Sequence, residues 1–273
     1  MNASLLSKIK TLPPLPETVV KIQQLCSNPE SSVGDLIKIV ETDPMITANR
    51  LKAANSPFYG FSREIQTVSQ AVSLFGMSTV KGLAVSGVVK KLLAIDLDPY
   101  GISPQAFADI SGLQNALMHD WYAKIDASAM SVLSPASFLQ ETGKIVIAQE
   151  ITKEGKAREF RADIESGAAI ASVEAHFLGE TTATVTAAIF EHWRFEEQLV
   201  ESIRYADAPT AAPAENAPFS KALHVVKTAL RPAGTFGEEH LEEAVVAASG
   251  FGFSESSLRD AFTKLKERTN PSS

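Results

Sequence analysis

Apolar residues in this chain recur at three- and four-residue spacing, and no alternating Val/Ile/Thr segments are joined by Asn-Gly or Asp-Gly turns. The first pattern lines one face of a helix with a period of 3.6 residues; the second is what a sheet would require. The fold class that follows is all-α. The stretch from Ser103 to Tyr122 carries the pattern best, with Phe107, Ile110, Leu113, Leu117 and Trp121 on one face. Such a helix must lie against a core.

Punctuation places further helices. A Ser or Thr side chain can accept from the free N–H groups of a first turn, and proline at the first helical position loses nothing. Ser103-Pro104 and Ser134-Pro135 read as such starts. Thr67 followed by Gln70 reads as a capping box opening Val68 to Phe75, with Gly76 closing that helix in a left-handed conformation and a new helix following from Ser78. A second stripe, Leu139, Gly143, Val146, Ile147 and Ile151, predicts one helix from Ser134 to Ile151, where Gly143 admits a neighbouring backbone. Shorter helices are predicted at Pro16 to Ser27, Val33 to Glu41, Pro44 to Asn55, Thr182 to Trp193 and Glu196 to Ala206. The Pro/Ala-rich stretch 209–218 reads as a connector between a helical domain, 1–208, and a small C-terminal helical cap, 219–273. Within the cap, Leu223, Val226 and Leu230 mark one helix, Leu241 and Val245 another, and Leu258, Phe262 and Leu265 a third, with a frayed end from Arg268 to Ser273.

Composition limits the function classes. Forty-five per cent apolar residues in a chain of 273 suffice for a sizeable core. No uninterrupted apolar run approaches the roughly 18 residues of a membrane span, and the N-terminus lacks signal-peptide character. A cytoplasmic protein without a membrane partner is expected. The single cysteine, Cys26, excludes an internal disulfide and a thiolate metal cluster, and it occupies an apolar position of a helical pattern. A net charge of −7 without a Lys/Arg run disfavours nucleic acid.

Three segments of the N-terminal half, LPPLPETVVKIQQL, SSVGDLIKIVETDPMITANRLKAANSPFYG and IQTVSQAVSLFGMSTVKGLAV, together resemble the HDOD family of bacterial regulatory proteins. The resemblance resumes at FLQETGKIVI and at AAIFEHWRFEEQLVESIRYADAP, so that it runs from about Leu12 to Pro209. It rests on punctuation as well as composition: the prolines from Pro13 to Pro16, Asp43-Pro44, Ala54-Asn55-Ser56, Tyr59-Gly60 and Leu74-Phe75-Gly76. The implied fold is an irregular multi-helix bundle of the HD-domain type with a small C-terminal helical extension. Asp43-Pro44 and Asn55 also have the plain reading of a helix start and a helix end.

The HD phosphohydrolases to which the family is related hold one or two divalent ions with His and Asp side chains, and the ions activate a water. Their defining His-Asp pair precedes a Gly-Lys. The corresponding run here is Gln140-Glu141-Thr142-Gly143-Lys144, in which a neutral amide replaces an imidazole. By the same resemblance, other ligand positions fall near Ser111, at Thr181-Thr182, and at Ala206-Asp207 after Ile203-Arg204-Tyr205. The resemblance thus implies no metal and no other cofactor, with Gln140, Glu141 and Lys144 as remnant-site or ligand-contact residues.

His119-Asp120 is a His-Asp dipeptide without a following Gly-Lys, and composition alone supplies roughly 0.2 such pairs in a chain like this. His192 precedes Trp193 and reads as a helix-end histidine. No nucleophile elbow, dinucleotide fingerprint or phosphate loop occurs. Two functions remain in view. The first is a non-catalytic signal-transduction module that binds a regulatory protein partner, with a nucleotide or small anion as a further ligand and a homodimer left open. The alternative is a divergent metal-dependent phosphohydrolase acting on a nucleotide or cyclic dinucleotide, in which His119, Asp120, Glu141 and His192 would converge on one ion.

Overall fold

The computed structural model describes residues 2–28, 30–41, 55–60, 64–93, 95–232 and 236–269, and these form helices without strands. Helices α1 (Ala3–Lys10), α2 (Glu17–Ser27) and α3 (Val33–Glu41) precede the long α4 (Val68–Leu92). Then follow α5 (Pro104–Trp121), α6 (Met130–Leu139), α7 (Gly143–Lys153), α8 (Ala157–Glu165), α9 (Ile170–Leu178), α10 (Thr182–His192) and α11 (Glu197–Arg204). The chain ends in α12 (Ala217–Ala229), α13 (Glu238–Gly250) and α14 (Glu255–Thr269). Helix α6 sits at the centre, packed against α4, α5, α11 and α12.

Local chemistry sets several of these boundaries. The hydroxyl of Thr67 accepts from the Gln70 N–H at 3.1 Å while the Gln70 amide oxygen accepts from the Thr67 N–H at 3.2 Å, which is the capping box the sequence predicts. Gly76 then takes φ 77° and ψ 166° and breaks α4 into two segments, a conformation open to glycine and strained for other residues. The first segment closes a small core with α2 and α3, built from Ile22, Leu36, Val40, Val68, Val72 and Phe75. The second carries Leu83, Val85 and Val89 into the main core. Cys26 packs, half-buried, against the small core. The Asn55 side chain pairs with both backbone groups of Ile65, at 2.9 and 2.7 Å, and so bridges two stretches of chain. The helix expected from Pro44 to Asn55, with its Asp43-Pro44 start, lies almost wholly outside the described residues.

Three expectations are corrected. Pro135 lies inside α6, which begins at Met130, because the Ser134 hydroxyl is engaged with Thr79 and His119 and does not cap a helix. The helix expected from Ser134 to Ile151 is two helices, interrupted at 140–142 by tight turns in which the Thr142 N–H bonds the Leu139 carbonyl and the Lys144 N–H bonds that of Glu141. Arg268 is not frayed, since its guanidinium grips the Asp120 carboxylate across the fold. Val68–Val89 is long and apolar enough to cross a membrane by length and composition alone, but it is no uninterrupted apolar run, 67% of its most apolar 18-residue window is buried inside the fold, and Gly76 interrupts it.

Helices α1, α8 and α9 were not legible in the sequence. α8 buries only Phe160, too little for a readable stripe. The stretch 209–218 holds a 3-10 turn at Pro209–Ala211 and leads into α12. Leu223, Val226, Leu258 and Phe262 of the C-terminal helices lie in the same core as Trp121, Ile147 and Phe190.

Candidate functional site

The break between α6 and α7 places Gln140, Glu141 and Lys144 in the interior. Gly143 makes the placement feasible. A Cβ there would come within 2.5 Å of the Thr182 carbonyl and 2.9 Å of the Thr186 nitrogen, so only glycine lets the start of α7 approach the start of α10 so closely. The Gly143 N–H donates to the Thr186 hydroxyl at 2.8 Å, and that hydroxyl donates to the Thr182 carbonyl at 2.6 Å.

Around this junction lies a cluster of buried charge. The Lys144 ammonium, 1% exposed, is 2.7 Å from the Glu141 carboxylate and 3.6 Å from that of Glu174, and it donates to the Thr182 hydroxyl at 3.1 Å. Glu174, on α9, accepts from the Thr182 N–H and hydroxyl, each at 2.5 Å, and from the Tyr100 hydroxyl at 2.8 Å. Lys227, on α12, donates to Asp207 at 2.6 Å, and the second Asp207 oxygen accepts from the Ala183 N–H at 3.1 Å. Gln114, on α5, donates to Glu141 at 3.1 Å and to the Leu230 carbonyl at 3.0 Å, while Gln140 donates to Gln114 at 2.8 Å. The Gln140 amide oxygen is buried with no hydrogen-bond partner.

Burial and charge oppose one another throughout this cluster. Burial raises the Glu141 carboxyl, but Lys144 and then Lys227 outweigh it and hold the group below the usual carboxylate range. Burial likewise opposes ionisation of Asp207, yet the Lys227 ammonium brings it down to about 2. Lys227 in turn is lifted above the ordinary lysine range, burial notwithstanding, by Asp207 first and then by Glu141 and Glu174. Burial, with Glu174 beside it, pushes the Tyr100 phenol well up. Three carboxylates therefore face two ammonium groups, with Glu141, Lys144 and Glu174 buried and the Lys227–Asp207 pair half-buried at the edge of the cluster.

The structure brings together Gln140, Glu141, Lys144, Thr182 and Asp207, all singled out in the sequence. Ser111 lies apart, its buried hydroxyl donating to the Phe107 carbonyl at 3.0 Å. His119, Asp120 and His192 are placed elsewhere. The His119 Nε2 sits 3.0 Å from the Thr79 hydroxyl and 3.1 Å from that of Ser134, and burial holds its pKa below the usual histidine value. Asp120 is paired with Arg268, and His192 is exposed at the end of α10. The convergence of these residues with Glu141 on one ion is therefore not what the fold provides. Among the described residues no group of three or more His, Cys, Asp and Glu side chains is arranged to hold a metal.

Sequence reasoning missed Gln114, Glu174 and Lys227. The last two carried a signal, since each falls within an otherwise apolar stripe: Glu174 beside Ile170, Val173 and Phe177, and Lys227 beside Leu223, Val226 and Leu230. A charge in such a stripe is either misplaced or paired in the interior.

Comparison with known proteins agrees with this architecture. An uncharacterized protein of Treponema pallidum is 22% identical over 242 residues, covering 85% of this chain; the chain spans only 44% of that relative's length. A virulence factor from Campylobacter jejuni has a similar solved structure, with 26% identity, a TM-score of 0.58, and coverage of 98% of this chain and 100% of the other. A candidate phosphohydrolase from Shewanella amazonensis superposes with a TM-score of 0.70 at 21% identity, covering 98% and 96% of the two chains. A candidate signal-transduction protein from Marinobacter aquaeolei gives 0.72 at 21%, covering 98% of this chain and 62% of its own. The sequence pattern that defines the HDOD domain matches residues 12–209, and with that match the chain belongs to the HDOD domain family.

Proposed function

We propose that this chain is a non-catalytic bacterial signal-transduction module that acts in the cytoplasm by binding a regulatory protein partner, its HD-type metal site being degenerate. The observation that carries this reading is the pairing of Lys144 with Glu141 and of Lys227 with Asp207, at 2.7 and 2.6 Å. A divalent ion implied by the HD relationship would need imidazole nitrogens or carboxylate oxygens free to coordinate. Here the carboxylates are taken up by internal cations and N–H or O–H donors, and among the described residues no imidazole is bonded to them or grouped with them to hold a metal, so the residues present do not fit such an ion.

The same cluster argues against a phosphate-bearing ligand at this place. Glu141, Lys144, Glu174 and Thr182 are each no more than 3% exposed, and carboxylates outnumber ammonium groups. An anion would have to open the bundle and then meet net negative charge. The alternative, a divergent phosphohydrolase acting on a nucleotide or cyclic dinucleotide, requires a bound metal. Elemental analysis after reconstitution with Mn, Fe and Zn and exhaustive dialysis separates the two. Less than about a tenth of an equivalent is expected, as weak affinity dictates when ligands are missing. A full equivalent of retained metal, with hydrolysis of a chromogenic phosphodiester, would overturn the proposal.

A further inference from the structure

A short turn bridges the two cores of this fold. The small core of Ile22, Leu36, Val40, Val68, Val72 and Phe75 stands apart from the main core and closes on Val80 and Ala84, beyond the break at Gly76. Tyr59, in the 3-10 turn Pro57–Tyr59, packs against both cores. Its ring meets Phe75 edge-on, with centroids 4.6 Å apart, and its hydroxyl donates to the Asn115 side-chain oxygen on α5 at 3.0 Å. The Asn115 amide in turn donates to the Ser134 carbonyl at 2.9 Å and to the Ser137 hydroxyl at 3.1 Å, both on α6. Phe58 lies against Gly112 of α5, where a Cβ would stand 3.0 Å from its ring.

The C-terminal helix closes over this turn. Lying beyond the residues that match the HDOD domain, α14 packs on α5 and on the turn itself. Leu258, Ala261, Phe262 and Leu265 bury its apolar side. Near its end the Arg268 guanidinium engages both oxygens of Asp120 on α5, one of them at 3.3 Å. The Arg268 stem crosses Gly60, where a Cβ would stand 2.5 Å from its Cδ, and Gly60 ends the turn with φ 66°. The pair is shielded, its side chains 21% and 17% exposed, so solvent screens it less than an ordinary surface pair.

We infer that α14 is a strap: the Arg268–Asp120 pair holds the turn down on α5 and, through Tyr59, holds α3 and the first segment of α4, so that these open together only when that pair breaks. The break at Gly76 lets the first segment of α4 leave without unwinding the second. A ligand that favours the open form then acts through one ion pair, which is what a two-state regulatory element requires. None of these residues belongs to the charged cluster, so the strap is independent of the proposed function.

Amide hydrogen exchange of the full chain, read by peptide mass spectrometry, tests it with wild type, Arg268→Met and Lys266→Met. In wild type, amides of α3 and of 68–75 should exchange faster than those of α6 and α7, since a separate opening lies below global unfolding. In Arg268→Met they should accelerate roughly thirtyfold, the factor expected when a shielded charge-assisted pair is lost from the closed form alone. Lys266→Met, on the same helix but paired with Glu238 at an exposed site, should leave them within about threefold of wild type. If Arg268→Met does not fold, Asp120→Asn takes its place, with an acceleration of about tenfold expected. Equal protection of α3, α6 and α7 in wild type overturns the inference. Unchanged exchange of α3 and 68–75 on loss of the pair does so too, as does acceleration by Lys266→Met as large as that by Arg268→Met.

Discussion

Replacing Lys144 by Met removes an interior charge while keeping most of the side chain's volume, and so tests whether the cluster is held together by ion pairing. Four interactions disappear: the 2.7 Å pair with Glu141, the 3.1 Å bond to the Thr182 hydroxyl, the 3.6 Å attraction to Glu174 and the contact over the Tyr100 ring, 5.4 Å from its centroid. Glu174 keeps its three donors, two from Thr182 and one from Tyr100. Glu141 keeps only the Gln114 amide at hydrogen-bond distance and the remoter Lys227. The loss therefore falls on Glu141, a carboxylate 2% exposed. Breaking a buried pair in this way costs about 3–5 kcal/mol. With a urea dependence of about 3 kcal/mol per molar for a chain of this size, the unfolding midpoint should drop by about 1–1.7 M. The double variant Glu141→Gln/Lys144→Met removes both charges at similar volume and should recover most of that loss, because a neutral pair has no unpaired charge to bury. Urea unfolding followed by far-UV circular dichroism reads both. A loss below about 1 kcal/mol for Lys144→Met, or a double variant no more stable than the single one, would refute the argument that the charges are buried and mutually dependent.

Other parts of the fold yield further tests. Gly143→Ala should cost roughly 3 kcal/mol in urea unfolding, since its Cβ would press on the backbone of α10. Burial depresses the pKa values of both His119 and His224, so the unfolded chain binds their protons more readily. Their contribution to stability is full above the unfolded histidine value of about 6.5 and is lost as pH falls through their lower folded values. Melting temperature should therefore decline from pH 7 to pH 5, and His119→Asn should flatten that decline; an unchanged slope would show that His119 is not the titrating group. Arg268→Met leaves Asp120, a largely buried carboxylate, without its guanidinium and should cost about 2 kcal/mol, with earlier tryptic cleavage near the C-terminus as the second readout.

The Ser103 cap, the Thr67 capping box and the Gly76 break were legible because each is a contest between neighbouring backbone groups that nearby side chains decide. The interruption at 140–142 was not. The stripe from Leu139 to Ile151 satisfies helical spacing on both sides of it, and the reason for the turn is the approach of α10, distant in sequence, onto Gly143. Likewise Ser134-Pro135 has the form of a helix start, but tertiary partners of the Ser134 hydroxyl remove it from that role.

For the candidate site the division runs along the same line. Gln140, Glu141 and Asp207 could be singled out from their place in the family's punctuation. That Glu174 and Lys227 complete the cluster could not be read, because an interior charge pair is a relation between helices far apart in the chain, and sequence periodicity records only that a face is buried. The sequence by itself determined that the chain is helical, where several of its helices begin and end, and which residue types stand at the positions the family resemblance points to. Only the tertiary structure decided which carboxylate meets which ammonium, since burial makes each charge depend on a partner that packing alone can deliver.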